Sequence, residues 1–379
     1  MIKMSKFRYL DKHILFAVFA LQTIGILAIS SATRVNAGAD IRTLNMQILW
    51  MIISNIILLF ISMSNVKFIN EDNIGFLGYL SYFASIGMLL SVLAVGTGNG
   101  ASRWLRIGGF TLQPSEFAKL GIIIFLTNLF YKNKDRVNDM LFIFRAVILL
   151  GIPLIMIAKQ PDLSTSLVFL VIFAAQYFVA GINGKFLKVA VLAGSLVAAI
   201  FIADAHLPKD NHLILKNYQA NRIMAIFYPE NYQLSEAYQT TKSIRAVGSG
   251  KILGKGIYKG TLNQLSYLPE PHTDFIFSVI SEESGFIGSL VVLGLQFFII
   301  IKCIYIGKDV NNYLDIIFIT GVVAMLAIQV FINIGVATGI MPNTGIPLPF
   351  VSYGGSSMLT NIVCIALVLN IGRHRKIIF

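Results

Sequence analysis

The chain has 379 residues, of which 56% are hydrophobic and 13% charged, with a mean hydropathy of +0.75. Soluble folds carry roughly a quarter charged residues, so a water-soluble domain is excluded and a polytopic membrane protein is implied. The net charge of +12 does not point to nucleic acid, because the basic residues are scattered through short loops rather than gathered on one polar face.

A membrane-spanning helix needs about 20 mostly apolar residues, and ten stretches are candidates, the fourth and tenth of them short: 13–33, 44–65, 74–96, 115–131, 141–158, 164–182, 187–205, 274–302, 315–340 and 356–372. The first ends in the small residues of ISSATRVNA, yet its length and the spans behind it point to a retained anchor rather than a cleaved signal. With the N-terminus in the cytosol, the inner segments hold 15 Lys and Arg against 6 in the short outer ones. That bias puts both termini inside. The expected fold is all-α, one integral membrane domain over 1–379, with ten transmembrane helices and a long extracellular loop at 206–273. Neither an internal repeat nor an inverted pair of halves stands out, which disfavours common transporter designs. Cys303 and Cys364 fall in apolar segments and read as core residues rather than a disulfide.

Polar constellations interrupt the outer ends of these spans. In GNGASRWLRIGGFTLQPSEFAK, residues 98–119, Arg103 and Arg106 flank Trp104, and Pro114-Ser115-Glu116 opens the fourth helix. Arginines beside a tryptophan describe either an interfacial anchor or a grip on a phosphate-bearing lipid head group. Glu116 and Lys119 share a helix face and are expected to pair. The stretch KQPDLSTS, 159–166, places Asp162 at a helix start, where a plain cap is the simplest account. Within 206–273, VGSGKILGKG imitates a phosphate-binding loop, but its glycine spacing is wrong, no Ser or Thr follows the lysine, and no strand precedes it. A nucleotide site is excluded there.

The stretch YLPEPHTDFIFSVISEESGFIG, 267–288, brings one acid to the mouth of the eighth span and two into its body. Asp274 can cap the helix, accept a proton from a bound hydroxyl, or do both. On a continuous helix Glu282 and Glu283 lie roughly 12–14 Å further in, close to mid-bilayer. A buried ion pair or a polar cavity accounts for acids at that depth, and two adjacent acids favour the cavity. Finally NIGVATGIMPNTGIPLPFVSYGGSSM, 333–358, breaks an apolar region with three prolines and five glycines. Irregular backbone at membrane depth survives only inside protein or beside a watery cavity, and its hydroxyl and N–H groups could cradle an anion.

These blocks, with NYQANRIMAIFYPE and SIRAVGSGKILGKG among them, resemble in sequence and order the SEDS family, the RodA and FtsW membrane proteins of bacterial cell-wall synthesis. The resemblance covers about residues 98–372, and the short cytosolic tails favour its elongation-type RodA branch. It implies ten membrane helices and a peptidoglycan glycosyltransferase that polymerises lipid II at the outer face of the bacterial cytoplasmic membrane, for elongation and shape. Asp274 matches the family's essential acid, and Glu116 with Lys119 its polar pair on the fourth helix. Arg103 and Trp104 match the loop before that helix, and Asp162 the Gln-Pro-Asp block. The positions Pro342, Thr344, Gly345, Ser352, Gly354 and Gly355 match the family's proline-glycine block. A class B penicillin-binding protein is the implied partner, beside lipid II and membrane lipid.

That chemistry suits the residues. Lipid II is a disaccharide-pentapeptide on undecaprenyl pyrophosphate, and extending a glycan needs the acceptor's GlcNAc 4-hydroxyl to attack the anomeric carbon of the donor's MurNAc. A hydroxyl needs a base within reach, and Asp274 is assigned that role. The departing pyrophosphate needs cations; Arg103, Lys119, Arg222 and a divalent Mg or Mn ion are the candidates, with Glu282 lining the cavity below. No metal site within the protein is expected, since His206, His212 and His272 are too dispersed to form a ligand set. A lipid II flippase is the alternative. It shares the head-group site but needs a polar path across the bilayer, for which Glu282 and Glu283 are the best support. An ion-coupled transporter fits less well because the acids gather on the outer side, and a scaffold has no use for Asp274.

Overall fold

The computed structural model describes residues 10–34, 41–95, 103–107, 110–160, 162–208, 212–215, 217–228, 231, 236–265, 268 and 270–377. In chain order it runs α1 (Lys12–Ala32), α2 (Ile41–Met63), α3 (Ile74–Val95), a hairpin of β1 (Leu105–Ile107) and β2 (Phe110–Leu112), α4 (Pro114–Lys132), α5 (Met140–Lys159), α6 (Leu163–Val179) and α7 (Gly184–Ala205). There follow α8 (Asn217–Phe227), α9 (Glu236–Ser249), a single turn α10 (Thr261–Gln264), α11 (Ile276–Asp309), α12 (Tyr313–Ala337) and α13 (Gly355–Ile377). The longest of these helices coincide with the ten apolar stretches. Among the described residues, seven (α1, α2, α3, α5, α11, α12 and α13) are long and apolar enough to cross a membrane by themselves.

Two features depart from the all-α expectation. The antiparallel hairpin sets Leu105 opposite Leu112 and Arg106 opposite Thr111; the Gly-Gly pair between its strands is a turn signal that a search for helices passes over. The segment 206–273 is also more than a loop, since it holds α8, α9 and α10.

Local chemistry fixes several helix starts. Asp11 caps α1 by accepting the N–H groups of His13 and Ile14, Asn312 caps α12 through Leu314, and Pro114 opens α4. The last two helices form the centre: 67% of the apolar stretch of α12 and 83% of that of α13 is buried, against 22% for α2 and 28% for α3. Phe60, Phe76, Phe83, Phe144 and Phe286 point outward from the bundle, as side chains facing lipid would.

Contacts at the two ends set successive long helices antiparallel. One end gathers around Asp274. The other is pinned by Lys67 and Asp315 at 2.6 Å and by Arg373, which donates to the carbonyls of Ser62 and Ser64 at 3.3 and 3.0 Å. A guanidinium there satisfies carbonyls left over at the end of α2.

The predicted eighth span is not one continuous helix. It breaks at Gly285, whose φ of 67° and ψ of −162° belong to a region essentially reserved for glycine. Residues 286–309 span about 36 Å at helical rise, enough to cross a bilayer alone. Before the break, Ile276 to Glu283 are buried on every side. The continuous helix that underlies the mid-bilayer depth expected for Glu282 and Glu283 is thereby corrected, because both acids lie ahead of the break.

The glycine-rich run rejected above as a nucleotide loop has a structural use. It clasps the break. Lys255 and Gly256 donate their N–H groups to the carbonyls of Glu282 and Glu283 at 3.0 and 2.9 Å, and the carbonyls of Lys251 and Ile252 accept from Phe286 and Ile287 at 2.8 and 3.2 Å. Backbone groups freed by the break are thus satisfied. So close an approach needs glycine on both sides, since a Cβ on Gly285 would collide with the Gly254 nitrogen and one on Gly254 with the Glu283 carbonyl. Gly285→Ala should therefore cost about 2 kcal/mol or more through strain and overlap. Thermal unfolding in detergent checks this, and an unchanged midpoint would mean that the clasp yields freely.

Candidate active site

Asp274 lies in the turn 270–275 that leads into α11. The helix takes Phe275 as its N-cap residue, without a side-chain cap, so neither Asp274 nor Thr273 serves as the cap; Thr273 instead turns its hydroxyl to the Glu270 carbonyl at 3.3 Å. The Asp274 side chain is half-buried, and a Cβ on Gly345 would stand 3.5 Å from its Oδ2. Arg222 and Arg103 bear on it as cations. Arg222 is on α8 and donates to the Asn343 carbonyl at 3.1 Å, while Arg103, ahead of the hairpin, donates to the Gln160 carbonyl at 3.1 Å. Burial first, and Glu270 second, push the Asp274 carboxyl up to about 6, against the opposing pull of the Thr273 hydroxyl and the two arginines.

The loop 338–354 holds this turn from the other side. Ser352 donates its hydroxyl to the Thr273 carbonyl at 2.7 Å, and the Tyr353 N–H bonds the His272 carbonyl at 2.9 Å. Gly345, at a φ of 76°, lets the loop double back beside the carboxylate with no side chain in the way.

Next to the turn is a cavity of about 650 Å³. Its wall comes from α2 (Arg42, Thr43, Met46, Trp50), the hairpin region (Trp104, Arg106, Thr111), the turn (Glu270, His272, Thr273) and the entry to α13 (Tyr353, Gly354, Gly355). Thr273 lines it but Asp274 does not, so the cavity adjoins the acid. Two guanidinium groups and three aromatic side chains suit a sugar that carries phosphate. A Cβ on Gly355 would strike the Trp50 indole, so glycine lets that ring close over the start of α13.

Of the sequence-predicted residues, Asp274, Arg103 and Arg222 come together, with the Thr344–Gly345 loop beside them and Trp104 in the cavity wall. The Thr344 hydroxyl oxygen is buried without a partner, while its carbonyl accepts from Ser164 at 3.1 Å. Asp162 spends both oxygens on Thr165, on its N–H at 3.2 Å and its hydroxyl at 2.9 Å, and is the helix cap that its place in the sequence suggests. Other expectations are corrected. Glu282 is wholly buried and pairs with Lys255 at 2.6 Å, with Thr261 and the Leu262 N–H also on it; Glu283 accepts the Ser31 hydroxyl. An ion pair to the partly exposed Lys255 accounts for Glu282, and a hydroxyl contact holds Glu283. The Ser352 hydroxyl is engaged by Thr273 and Leu348, and the Gly354 N–H goes to Gln47 at 3.3 Å, so these two groups of the expected anion cradle are taken up by the protein itself.

Glu116 and Lys119 do pair, at 2.7 Å, but with side-chain exposures of 4% and 1% they are sealed inside the bundle rather than open to the site. Sequence reasoning missed Arg42, Trp50 and His272 in the cavity wall. Arg42 carries only a topological signal in the sequence, and nothing local ties it to Arg106, more than sixty residues away.

The FtsW/RodA/SpoVE family model, described as a cell cycle protein, matches residues 12–377. This chain belongs to that family. The probable peptidoglycan glycosyltransferase FtsW of Wigglesworthia glossinidia brevipalpis is 33% identical, with 97% of this chain and 94% of the relative covered. The peptidoglycan glycosyltransferase MrdB of Escherichia coli K12 is also 33% identical, over 98% of this chain and 95% of its own. Among solved structures, a chain from a study of how a peptidoglycan synthase complex coordinates polymerization and crosslinking matches with a TM-score of 0.78 at 28% identity, covering 97% of this chain and 98% of that one. The rod shape determining protein RodA of Thermus thermophilus matches at a TM-score of 0.67 and 26% identity, over 97% of each chain. The mostly helical, membrane-type architecture and the family resemblance read from the sequence both stand.

Proposed function

We propose that this chain is a RodA-type peptidoglycan glycosyltransferase that polymerises lipid II at the outer face of the bacterial cytoplasmic membrane, with Asp274 as general base. The observation that carries this reading is the setting of Asp274: a half-buried carboxylate, lifted toward neutrality, beside two arginines and an Arg- and Trp-lined cavity. A carboxyl poised near 6 is a better proton acceptor than an ordinary aspartate and is still ionised at pH 7. The acceptor's 4-hydroxyl gives its proton to Asp274 as its oxygen attacks the donor's anomeric carbon. The bond to the pyrophosphate breaks on the opposite side, and the α-linkage inverts to β. Arg103 and Arg222 stabilise charge near the reacting centre, and Arg42 with Arg106 hold the phosphate-bearing end in the cavity. Among the described residues no group of His, Cys, Asp or Glu converges to hold a metal ion; any Mg or Mn would arrive on the substrate's pyrophosphate. The ten long helices form one integral membrane domain of ten spans, with both termini cytosolic and the Asp274 end outward, in keeping with the 15 to 6 bias of basic residues. A class B penicillin-binding protein crosslinks the product, with 206–273 as the surface it meets.

The flippase alternative has lost its main support. Glu282 and Glu283, which supplied its polar path, are bound to Lys255 and Ser31. A detergent assay separates the two. Purified protein given labelled lipid II, with penicillin present to silence any transpeptidase, should make long glycan and release undecaprenyl pyrophosphate, since catalysis needs positioned groups and no second leaflet. Absence of polymer from folded protein, even with the cognate partner added, would remove the enzyme reading.

A further inference from the structure

Behind Asp274 lies a buried amide that the mechanism above does not use. Asn333 sits near the end of α12 and is 1% exposed. Its Nδ2 donates twice, to the carbonyl of Asp274 at 3.1 Å and to that of Ile346 at 2.8 Å. Its Oδ1 has no partner, so the side chain is committed as a donor. These two carbonyls belong to the segments that face each other at the site, the turn 270–275 and the loop 338–354. Ser352 and Tyr353 also link them, but through Thr273 and His272. Asn333 grips residue 274 itself, and on the loop side the residue next to Gly345.

We propose that Asn333 is the positioning residue of this site: its two N–H groups fix the Asp274 backbone against the Gly345–Ile346 segment and so set the aim of the carboxylate and its shielding from water. This rests on the reading of Asp274 as base. The geometry explains why an amide is needed, since one side chain must donate to two carbonyls at once, and the bond to Ile346 is buried, where a lost donor is costly. The charged groups that bear on the carboxylate are Glu270 on its own turn, Arg222 from α8 and Arg103 from the hairpin region; His272 shares the turn, the 338–354 loop brings one titratable side chain, Tyr353, whose ring lies 5.5 Å from that of His272, and the last turns of α12 bring none. Shielding is the largest cause of the lifted Asp274 pKa, so loosening the loop should let it fall toward the ordinary carboxylate range.

The test replaces Asn333 with Leu, which keeps the volume and removes both donors, and with Ser, which is too short to bridge the two carbonyls. Expected in either folded variant is a fall in kcat of about 10- to 100-fold with KM for lipid II little changed. The acid limb of the rate should also move down from about 6. A second readout needs no activity: the difference in thermal midpoint between each variant and its Asp274→Asn double, followed against pH, reports the titration of Asp274 directly. A midpoint of that titration unchanged from wild type, or kcat unchanged in folded protein, overturns the proposal. If wild type itself makes no polymer, the base reading fails, while the thermal titration still decides whether Asn333 controls the carboxyl.

Discussion

Asp274→Asn is expected to cut glycan polymerisation by about 10²-fold or more while raising the thermal midpoint of the protein. The two effects have one cause. Burial beside Glu270 lifts the carboxyl to about 6, so at neutral pH the fold holds a charge in a place that disfavours it. A group whose pKa is raised by folding favours the folded state at low pH and loses that contribution as pH rises through the folded value. Asparagine keeps the shape, stays neutral and removes the penalty. Its advantage in midpoint should be largest above pH 7 and shrink as pH falls through about 6 toward the ordinary aspartate range. Activity runs the other way, because the base must be ionised: the wild-type rate should drop as pH falls through about 6. Polymer assays and thermal scans across pH 4–8 on both proteins check this. A variant that loses activity and also loses stability would point to misfolding, and one with near-normal activity would end the base assignment.

Sequence and structure agree where the physics is local. The long apolar helices, the Asp162 cap and the Glu116–Lys119 spacing each declare themselves within a few residues, and all are found where the sequence puts them, seven of those helices among the described residues being long and apolar enough to cross a membrane. The place of Asp274 ahead of the long helix is legible for the same reason, since it stands at the mouth of an apolar run. The cavity wall is not legible locally. Arg42, Trp50, Arg106 and His272 are brought together by packing among α2, the hairpin and the turn before α11, and only the fold makes them neighbours.

Glu282 and Glu283 show how a correct physical rule can be applied to the wrong geometry. An unpaired acid at mid-bilayer is costly and does call for a cavity. That premise depended on an unbroken helix, and Gly285 breaks it. Gly254 and Gly285 fit each other's backbone across more than twenty residues of chain, a relation that no spacing rule anticipates. Once the clasp forms, Lys255 reaches Glu282 and the acids need no water-filled path. Part of the apparent functional signal in this stretch is therefore the cost of anchoring the segment that carries Asp274.

Breaking the Glu116–Lys119 pair should produce the other large effect. Both side chains are almost wholly enclosed, and the second carboxylate oxygen of Glu116 already lacks a partner. Glu116→Gln strands an ammonium in the bundle and Lys119→Met strands a carboxylate, each at roughly 3–5 kcal/mol. Those losses should appear as a steep drop in folded yield and in polymer formed. The double variant leaves no stranded charge, so it should be more stable than either single, with a coupling of about 2 kcal/mol or more in a double-mutant cycle. The pair stands at the start of α4, where the Gln113 N–H bonds the Ser356 hydroxyl at 2.9 Å and ties that helix to α13 beside the cavity. Restoring neutrality should therefore restore most of the polymerisation along with the fold. Additive losses would show that the two residues act independently. Recovery of stability without recovery of polymer would give Lys119 a direct part in handling the pyrophosphate, which its enclosed position argues against.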